Sequence, residues 1–590
     1  MSDAVLGVER SVSGRRWRSR LEDPRLAAQI SQQHDLPEAV GRVLAARGVR
    51  AEDVEGFLDP KLRAQLPDPS SFAGMDAAVA RLIAAVEAGE TIAIFGDYDV
   101  DGATASAVLQ RYFRMVGGDA LVYIPDRLSE GYGPNGPALL GLKSQGVAVV
   151  VTVDCGITAF DPLAEAAAAG LDVIVVDHHM AEPRLPAAVA VVNPNRLDDN
   201  SGCGQLAAVG VAFLLVIGLN RGFREAGRFE GRAEPDLMAL LDLVALGTVC
   251  DMVPLTGINR ALVYQGLKIL SARRNAGLAA LADVARLDQR PEAYHLGFLL
   301  GPRVNAGGRV GKSDLGARLL ATDDAEEAAA LAHRLDEYNT ERRAIEAAVE
   351  VQAVSQIEDL GDALGPISVA VGEGWHAGVV GIVASRLVER FRRPALVIAV
   401  AEGVGKGSGR SIPGVDLGAA IIAARQAGLL ITGGGHPAAA GLSVTPANIP
   451  ALREFLADRL RDGVEEHGLR PSLGLDGALS AGAATVPFVE QLSRIGPFGM
   501  GNPEPRFAVS NCRVVRADIV GANHVRCVLA DDGKGRLNAI AFRTADKPTG
   551  QALLESRGRT LHVAGHLRSD NWRGRERVQL FVDDVAHSSG

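Results

Sequence analysis

Cysteine is scarce in these 590 residues. Five are present, Cys155, Cys203, Cys250, Cys512 and Cys527, and none belongs to a Cys-x-x-Cys pair. That excludes a disulfide framework and a zinc ribbon, and it fits a reducing cytosol. Long apolar runs are missing too. The longest, such as Val147–Val153, are strand-sized, far short of the ~20 residues a membrane-spanning helix needs. The first ten residues lack the apolar stretch of a secretion signal, so a soluble cytoplasmic protein is expected. Lysine is rare, seven of 61 basic residues, and the net charge is −10. Coating nucleic acid through bulk positive charge is therefore excluded, although local basic grooves are not. Aromatics make up 4%, but 47% hydrophobic and 22% charged residues describe a globular chain rather than a disordered one.

At roughly 100–200 residues per domain, this length predicts three to five domains. The pattern places a helical segment over 1–80, an α/β unit over 81–260, a helical region with one long connecting helix over 261–362, a smaller α/β unit over 363–465 and a β-rich unit over 470–590. Thr91–Phe95, Ala120–Ile124, Val147–Val153 and Leu171–Val176 are apolar runs of the kind buried parallel strands show, and Ala-rich helical segments separate them. The fold class expected is α/β: a doubly wound parallel sheet, joined by a long helix over Ala325–Val354 to a smaller α/β domain. Five short alternating runs, Phe507–Val515, His524–Leu529, Arg536–Phe542, Thr560–Leu567 and Val578–Val582, predict a C-terminal OB-like β-barrel. An antiparallel sandwich is the alternative reading of that pattern. The basic run Arg15–Arg20 reads as a solvated terminus, and the long helix as a solvated spacer.

The acidic residues sit where strands end. Thr91–Phe95 runs into Asp97, Asp99 and Asp101; Val147–Val153 into Asp154; Leu171–Val176 into Asp177, His178 and His179. Open α/β sheets bind ligands beyond the carboxyl ends of their strands, so these clusters should meet. Asp251, after the helical run Leu237–Leu246, is a fourth candidate. Several carboxylates in one crevice repel, and burying each unpaired costs several kcal/mol, so they must be protonated, paired or bound to cations. Oxygen ligands with one or two imidazoles and no thiolate suit Mg²⁺ or Mn²⁺. Asp99 and Asp101, two apart, project together if their segment is extended. One such pair can serve two ions about 3.5–4 Å apart, with Asp154 bridging, an arrangement that activates a water in phosphoryl displacement. Any single Asp here could instead cap a helix, but one cap per helix does not account for every cluster.

These residues, Asp97–Gly102, Val153–Gly156, Asp177–His179 and the Asp251 segment, resemble the four motifs of the DHH phosphoesterase superfamily, and Gly433–Pro437 resembles the motif of its accompanying DHHA1 domain. The segments Pro125–Arg127 with Glu130–Gly133, Gly301–Arg309, Gly407–Pro413 and Gly496–Pro503 are similar to the superfamily's single-strand-specific 5′→3′ DNA exonucleases. The resemblance runs from about residue 40 to the C-terminus. It implies a single-stranded DNA exonuclease using two Mn²⁺ or Mg²⁺ ions and releasing mononucleotides. Asp97, Asp99, Asp101, Asp154, His178 and Asp251 fall at metal ligands, and Asp177 orients the imidazoles. The resemblance assigns His179, Arg303, Arg309 and His436 to catalysis at the scissile phosphate and to closing the crevice. It assigns Arg127, Ser408, Arg410 and Asn305 to the 5′ phosphate and the strand. Ion pairing or helix capping is the plainer reading for each Arg. DNA repair and recombination beside a single-strand-binding protein and a helicase are implied, with no membrane partner. The rival readings are a phosphodiesterase for short oligonucleotides or cyclic dinucleotides, a pyrophosphatase, and a non-catalytic strand-binding replication factor. The last would have lost metal ligands, and none is missing here.

Overall fold

The computed structural model describes residues 4–127, 129–361, 364–467, 471–533, 535–556, 559–572 and 575–588. The expected domain limits at residues 1, 362, 363, 470 and 590 lie outside the described residues. Two compact units divide the chain: Pro67–Val253 with Gln265–Leu469, and Met1–Leu66 with Pro254–Tyr264 and Arg470–Gly590. No helix of the described residues is long and apolar enough to cross a membrane.

The larger unit begins with a five-stranded parallel sheet: β1 (Thr91–Gly96), β2 (Ala120–Tyr123), β3 (Val147–Val153), β4 (Asp172–Val176) and β5 (Ala190–Val192). Strand order is β2-β1-β3-β4-β5, so the chain steps outward from β1 and then back across it to β3. That reversal opens a crevice at the carboxyl ends of β1 and β3. Continuous apolar runs are required because helices cover both faces: Val149, Val150, Val151 and Val153 are all buried. At ~1.5–3 kcal/mol per buried Val or Ile side chain, this layer anchors everything attached to it. β5, only three residues long, is the strand the sequence pattern missed. Helices α1 (Val100–Met115), α2 (Ala208–Glu225) and α3 (Leu241–Cys250) pack around this sheet.

Helix α4 (Gly301–Val310) then leads to the long helix α5 (Ala325–Glu358), which Asp324 caps by accepting from Glu326 N and Glu327 N at 2.8 and 3.1 Å. The long helix is less solvated than its charge suggests. Leu331, Ala332 and Leu335 are buried near its start, and Val349, Ala353 and Ile357 enter the core of the second lobe. That lobe contains β6 (Ser368–Glu373), helix α6 (Val380–Phe391), and strands β7 (Ala395–Ala401), β8 (Val404–Arg410), β9 (Thr432–His436) and β10 (Ala439–Val444), in sheet order β9-β10-β8-β7-β6.

In the other unit, β11 (Phe507–Val520), β12 (His524–Ala530), β13 (Arg536–Ala541), β14 (Thr560–Trp572) and β15 (Arg575–His587) form a closed barrel in the order β11-β12-β13-β15-β14, with β14 pairing back to β11. Closure decides between barrel and sandwich: β11 is long enough to pair with both β12 and β14, and β13 runs parallel to β15. The N-terminal basic run differs from expectation. Arg16–Ser19 forms a strand parallel to Ser472–Leu475. Its Trp17 is wholly buried, and the indole Nε1 donates to Asp584 Oδ2 at 3.0 Å. One large apolar side chain thus outweighs the solvation of its arginine neighbours. Nearby, buried Asp476 accepts from Arg20 Nη1 and Arg47 Nη1, both at 2.8 Å.

Trp17→Ala is expected to destabilise this unit by ~3–5 kcal/mol in denaturant unfolding. A solvated terminus would show no change.

Candidate metal centre

The turn after β1 is tightly wound. Gly102 lies against the Asp97 backbone, where any Cβ would collide, so the chain reverses at once into α1. Asp99 is the N-cap of that helix, its Oδ1 accepting from Asp101 N at 2.8 Å and Gly102 N at 3.1 Å. Capping and ligation are therefore compatible: the cap occupies Oδ1 and leaves Oδ2. Because the helix starts at Val100, the Asp99–Asp101 segment is not extended, and the two carboxylates do not project together as expected. Asp97 and Asp99 instead group with Asp154, while Asp101 groups with His178 and Asp251. Asp101 is held by Ala208 N at 2.6 Å and Val209 N at 2.9 Å, the first amides of α2.

Asp154 follows β3 with φ +62°, a left-handed conformation uncommon outside glycine. Its carbonyl accepts from the Tyr132 hydroxyl at 3.0 Å, a buttress the sequence reading did not identify. Asp177, after β4, is buried. Its Oδ1 accepts from His178 N at 2.7 Å and His179 N at 3.1 Å, and its Oδ2 from Ile157 N at 3.0 Å. The same Oδ1 lies 2.7 Å from His179 Nδ1. Burial works against a charged His179, but the hydrogen bond and charge of Asp177 outweigh it and hold the imidazole above the usual histidine pKa. His178 behaves oppositely: burial, then the neighbouring His179, pulls its pKa down to about 4, so it is neutral at pH 7. Its Nδ1 lies 3.1 Å from Leu206 O, which turns Nε2 to the crevice, 3.3 Å from Asp154 Oδ1 and 3.7 Å from Asp251 Oδ2.

Burial and mutual repulsion push Asp97, Asp101, Asp154 and Asp251 above the ordinary carboxylate range, Asp101 to about 7 and Asp251 to about 9. Asp97 Oδ1, Asp154 Oδ1, Asp251 Oδ2 and His178 Nε2 are buried without a hydrogen-bond partner. Anionic oxygens and one imidazole lone pair, desolvated and left unpaired, fit hard divalent cations. Three sets bring their ligand atoms within 4.8 Å: Asp97–Asp99–Asp154, Asp101–His178–Asp251 and Asp154–His178–His179. Asp154 and His178 each belong to two sets, as residues shared between adjacent ions would. Cys155 and Cys250 lie close by, but burial raises both thiols, and their Sγ atoms reach backbone carbonyls.

Beside the carboxylates stands a group of arginines. Arg127 lies over the Tyr98 ring at 5.0 Å. Arg309 on α4 donates to Gly378 O at 3.1 Å, joining the two lobes. Burial, then Arg127, Arg342 and later Arg410, pull its pKa down to about 10, while Asp99 opposes this. Arg410 on β8 donates to Ser408 Oγ at 3.1 Å, and both lie against Gly381 in the first turn of α6. The helix is expected from Val379, but its first turn is not expected at the site; the signal for that is Gly378-Val-Val-Gly381, which lets backbone approach closely. Arg303, expected at the scissile phosphate, is engaged within the protein. It donates to Asp336 Oδ1 at 2.8 Å and Leu299 O at 2.7 Å, bracing α4 against α5. Asn305 is half-buried on α4, and His436 is exposed in the β9–β10 hairpin.

Three family models match: the DHH family N-terminal domain over 91–248, the DHHA1 domain over 364–462 and the RecJ OB domain over 475–584. The chain is 38% identical to the single-stranded-DNA-specific exonuclease RecJ of Dickeya dadantii, over 95% of this chain and 98% of that one. This chain belongs to the RecJ family. RecJ of Thermus thermophilus in complex with Mn²⁺ superposes with TM-score 0.79 at 30% identity, covering 96% of this chain and 78% of that one. The Mg²⁺ complex gives 0.74 at 28%, covering 97% and 78%. RecJ structures thus hold the two ions that the chemistry of this donor set favours.

Without divalent cation, folding raises Asp101 and Asp251 from 3.8 to about 7 and about 9, so the folded state binds protons the unfolded chain releases. Their contribution is fully present below pH 3.8 and is lost as pH rises through 7 to 9. Thermal unfolding in chelator should therefore show stability falling from about pH 5 to 9. Mn²⁺ should flatten that profile and add ~2.7 kcal/mol at a hundred times its Kd. Asp177→Asn should weaken Mn²⁺ binding ~10–100-fold by calorimetry.

Proposed function

We propose that this chain is a divalent-metal-dependent exonuclease that shortens single-stranded DNA from its 5′ end and releases mononucleotides. The observation that carries the reading is the convergence of unpaired buried ligand atoms on Asp97, Asp154, His178 and Asp251 beside the arginine group. The named activity of the D. dadantii relative supports the same substrate. A bound pair of Mn²⁺ or Mg²⁺ supplies Lewis acidity that activates a water and neutralises phosphate charge.

The remaining steps belong to the protein. Asp99, Asp101 and Asp251 hold the ions in place, and His178 stays neutral to offer Nε2. His179, whose pKa the hydrogen bond and charge of Asp177 raise against the effect of burial, presents its imidazole to the scissile phosphate. Arg309, poorly solvated and repelled by its neighbours, gains most when an anion arrives. Arg127, Ser408 and Arg410 take the terminal 5′ phosphate, aided by the α6 N-terminus, which explains why cutting is measured from that end. The barrel adds a strand-binding module. By family likeness the enzyme works in the cytoplasm, in repair and recombination beside a strand-binding protein and a helicase.

Purified protein with 5′- and 3′-labelled strands, in Mn²⁺ or chelator, tests this directly. Early release of 5′-labelled mononucleotide, abolished by chelator, is expected. Asp154→Ala should lower the rate at least ~100-fold; near-parental cleavage defeats the assignment. Arg410→Ala should cost ~10–100-fold in kcat/KM on 5′-phosphorylated strands, as expected for a lost charge-assisted contact, and less on 5′-hydroxyl strands.

A further inference from the structure

We infer that Tyr294 and Phe298 form a stacking platform for bases of the strand, on the helical segment leading to Asn305 and Arg309; this rests on the strand-cutting function proposed above. Phe298 is 68% exposed and Tyr294 48% exposed. Their rings are stacked, centroids 4.9 Å apart and 25° from parallel. Two large rings side by side in water incur a hydration penalty that an occupant would relieve.

The segment beneath them is firmly seated. Leu296 and Leu300 are buried, and Leu296 O accepts from the Sγ of Cys250, the residue before Asp251. Gly301 lies so close to Cys250 that any Cβ would collide. Phe298 itself lies in a π-turn, Leu296–Leu300, a feature frequent at functional sites, which runs directly into α4. The same continuous helical segment then carries Asn305 and Arg309. Eleven residues at ~1.5 Å each put Phe298 about 16 Å from Arg309. At ~3.4 Å per stacked nucleotide, that is about five nucleotides. The occupant is therefore the strand itself, continuous with the phosphate-binding end of α4. Stacking on an aromatic face is tolerant of sequence, as an exonuclease advancing along any strand requires.

Kinetics of the full chain on a 5′-phosphorylated dT20 and a 5′-phosphorylated dinucleotide test the platform. The double variant Tyr294→Ala/Phe298→Ala should raise KM for dT20 about tenfold or more, with the loss in KM rather than kcat. The variant-to-parent ratio should narrow on the dinucleotide, which is too short to reach the rings. Phe298→Leu, apolar but without a π-face, should behave like the alanine variant, and Phe298→Trp should restore affinity. Unchanged KM for dT20, or Leu serving as well as Phe, overturns the proposal. Anisotropy of labelled dT20 on the Asp154→Ala chain, with and without the ring substitutions, separates the two readings. Ring-dependent binding by a parent chain that cuts nothing would sink the exonuclease and leave the platform standing.

Discussion

Everything in the larger unit is arranged around like charges forced together out of water. Asp97, Asp101 and Asp154 are buried at strand and helix ends, with Asp251 beside them, and no basic side chain pairs with them among the described contacts apart from the two imidazoles. Such a cluster is unstable by itself, because desolvation and repulsion act in the same direction. The stiff parallel sheet behind it supplies the anchoring, and hard cations are the natural means of relief. Folding stability is thus spent in advance on a binding site.

The positive groups are kept one step away. Arg127, Arg309 and Arg410 act on one another, and make no ion pair with the buried carboxylates among the described contacts, although Arg127 is felt by Asp97 and Asp99 by Arg309. Asp177 sets the polarity within the histidine pair. Its hydrogen bond and charge raise the pKa of His179, while burial and then the neighbouring His179 lower that of His178. One buried carboxylate thus helps set two adjacent imidazoles apart in pKa.

Much of the site was legible because its residues end strands. Apolar runs with period-one burial announce parallel strands, and acidic residues directly after them fall at the crevice by topology. What failed was local. The strand at Arg16–Ser19 was hidden by its arginines, and only the cavity that receives Trp17 overrides them. The contact of Arg303 with Asp336, on a different helix, is likewise not encoded in its motif. Asp99 and Asp101 were two apart in sequence, yet the helix begins between them and sends them to different sets. Tyr132 contributes through a hydroxyl aimed at a backbone carbonyl, which no spacing rule encodes.

By itself the sequence determined the order of strands and helices, the residue types at each strand end and the kind of ion they suit, because periodicity and ligand chemistry are local properties. Only the tertiary structure decided which carboxylates come together, which arginines are engaged by other groups, and that the barrel closes. Those outcomes depend on distances between segments far apart in the chain, and on which partner reaches a charged group first once both have left water.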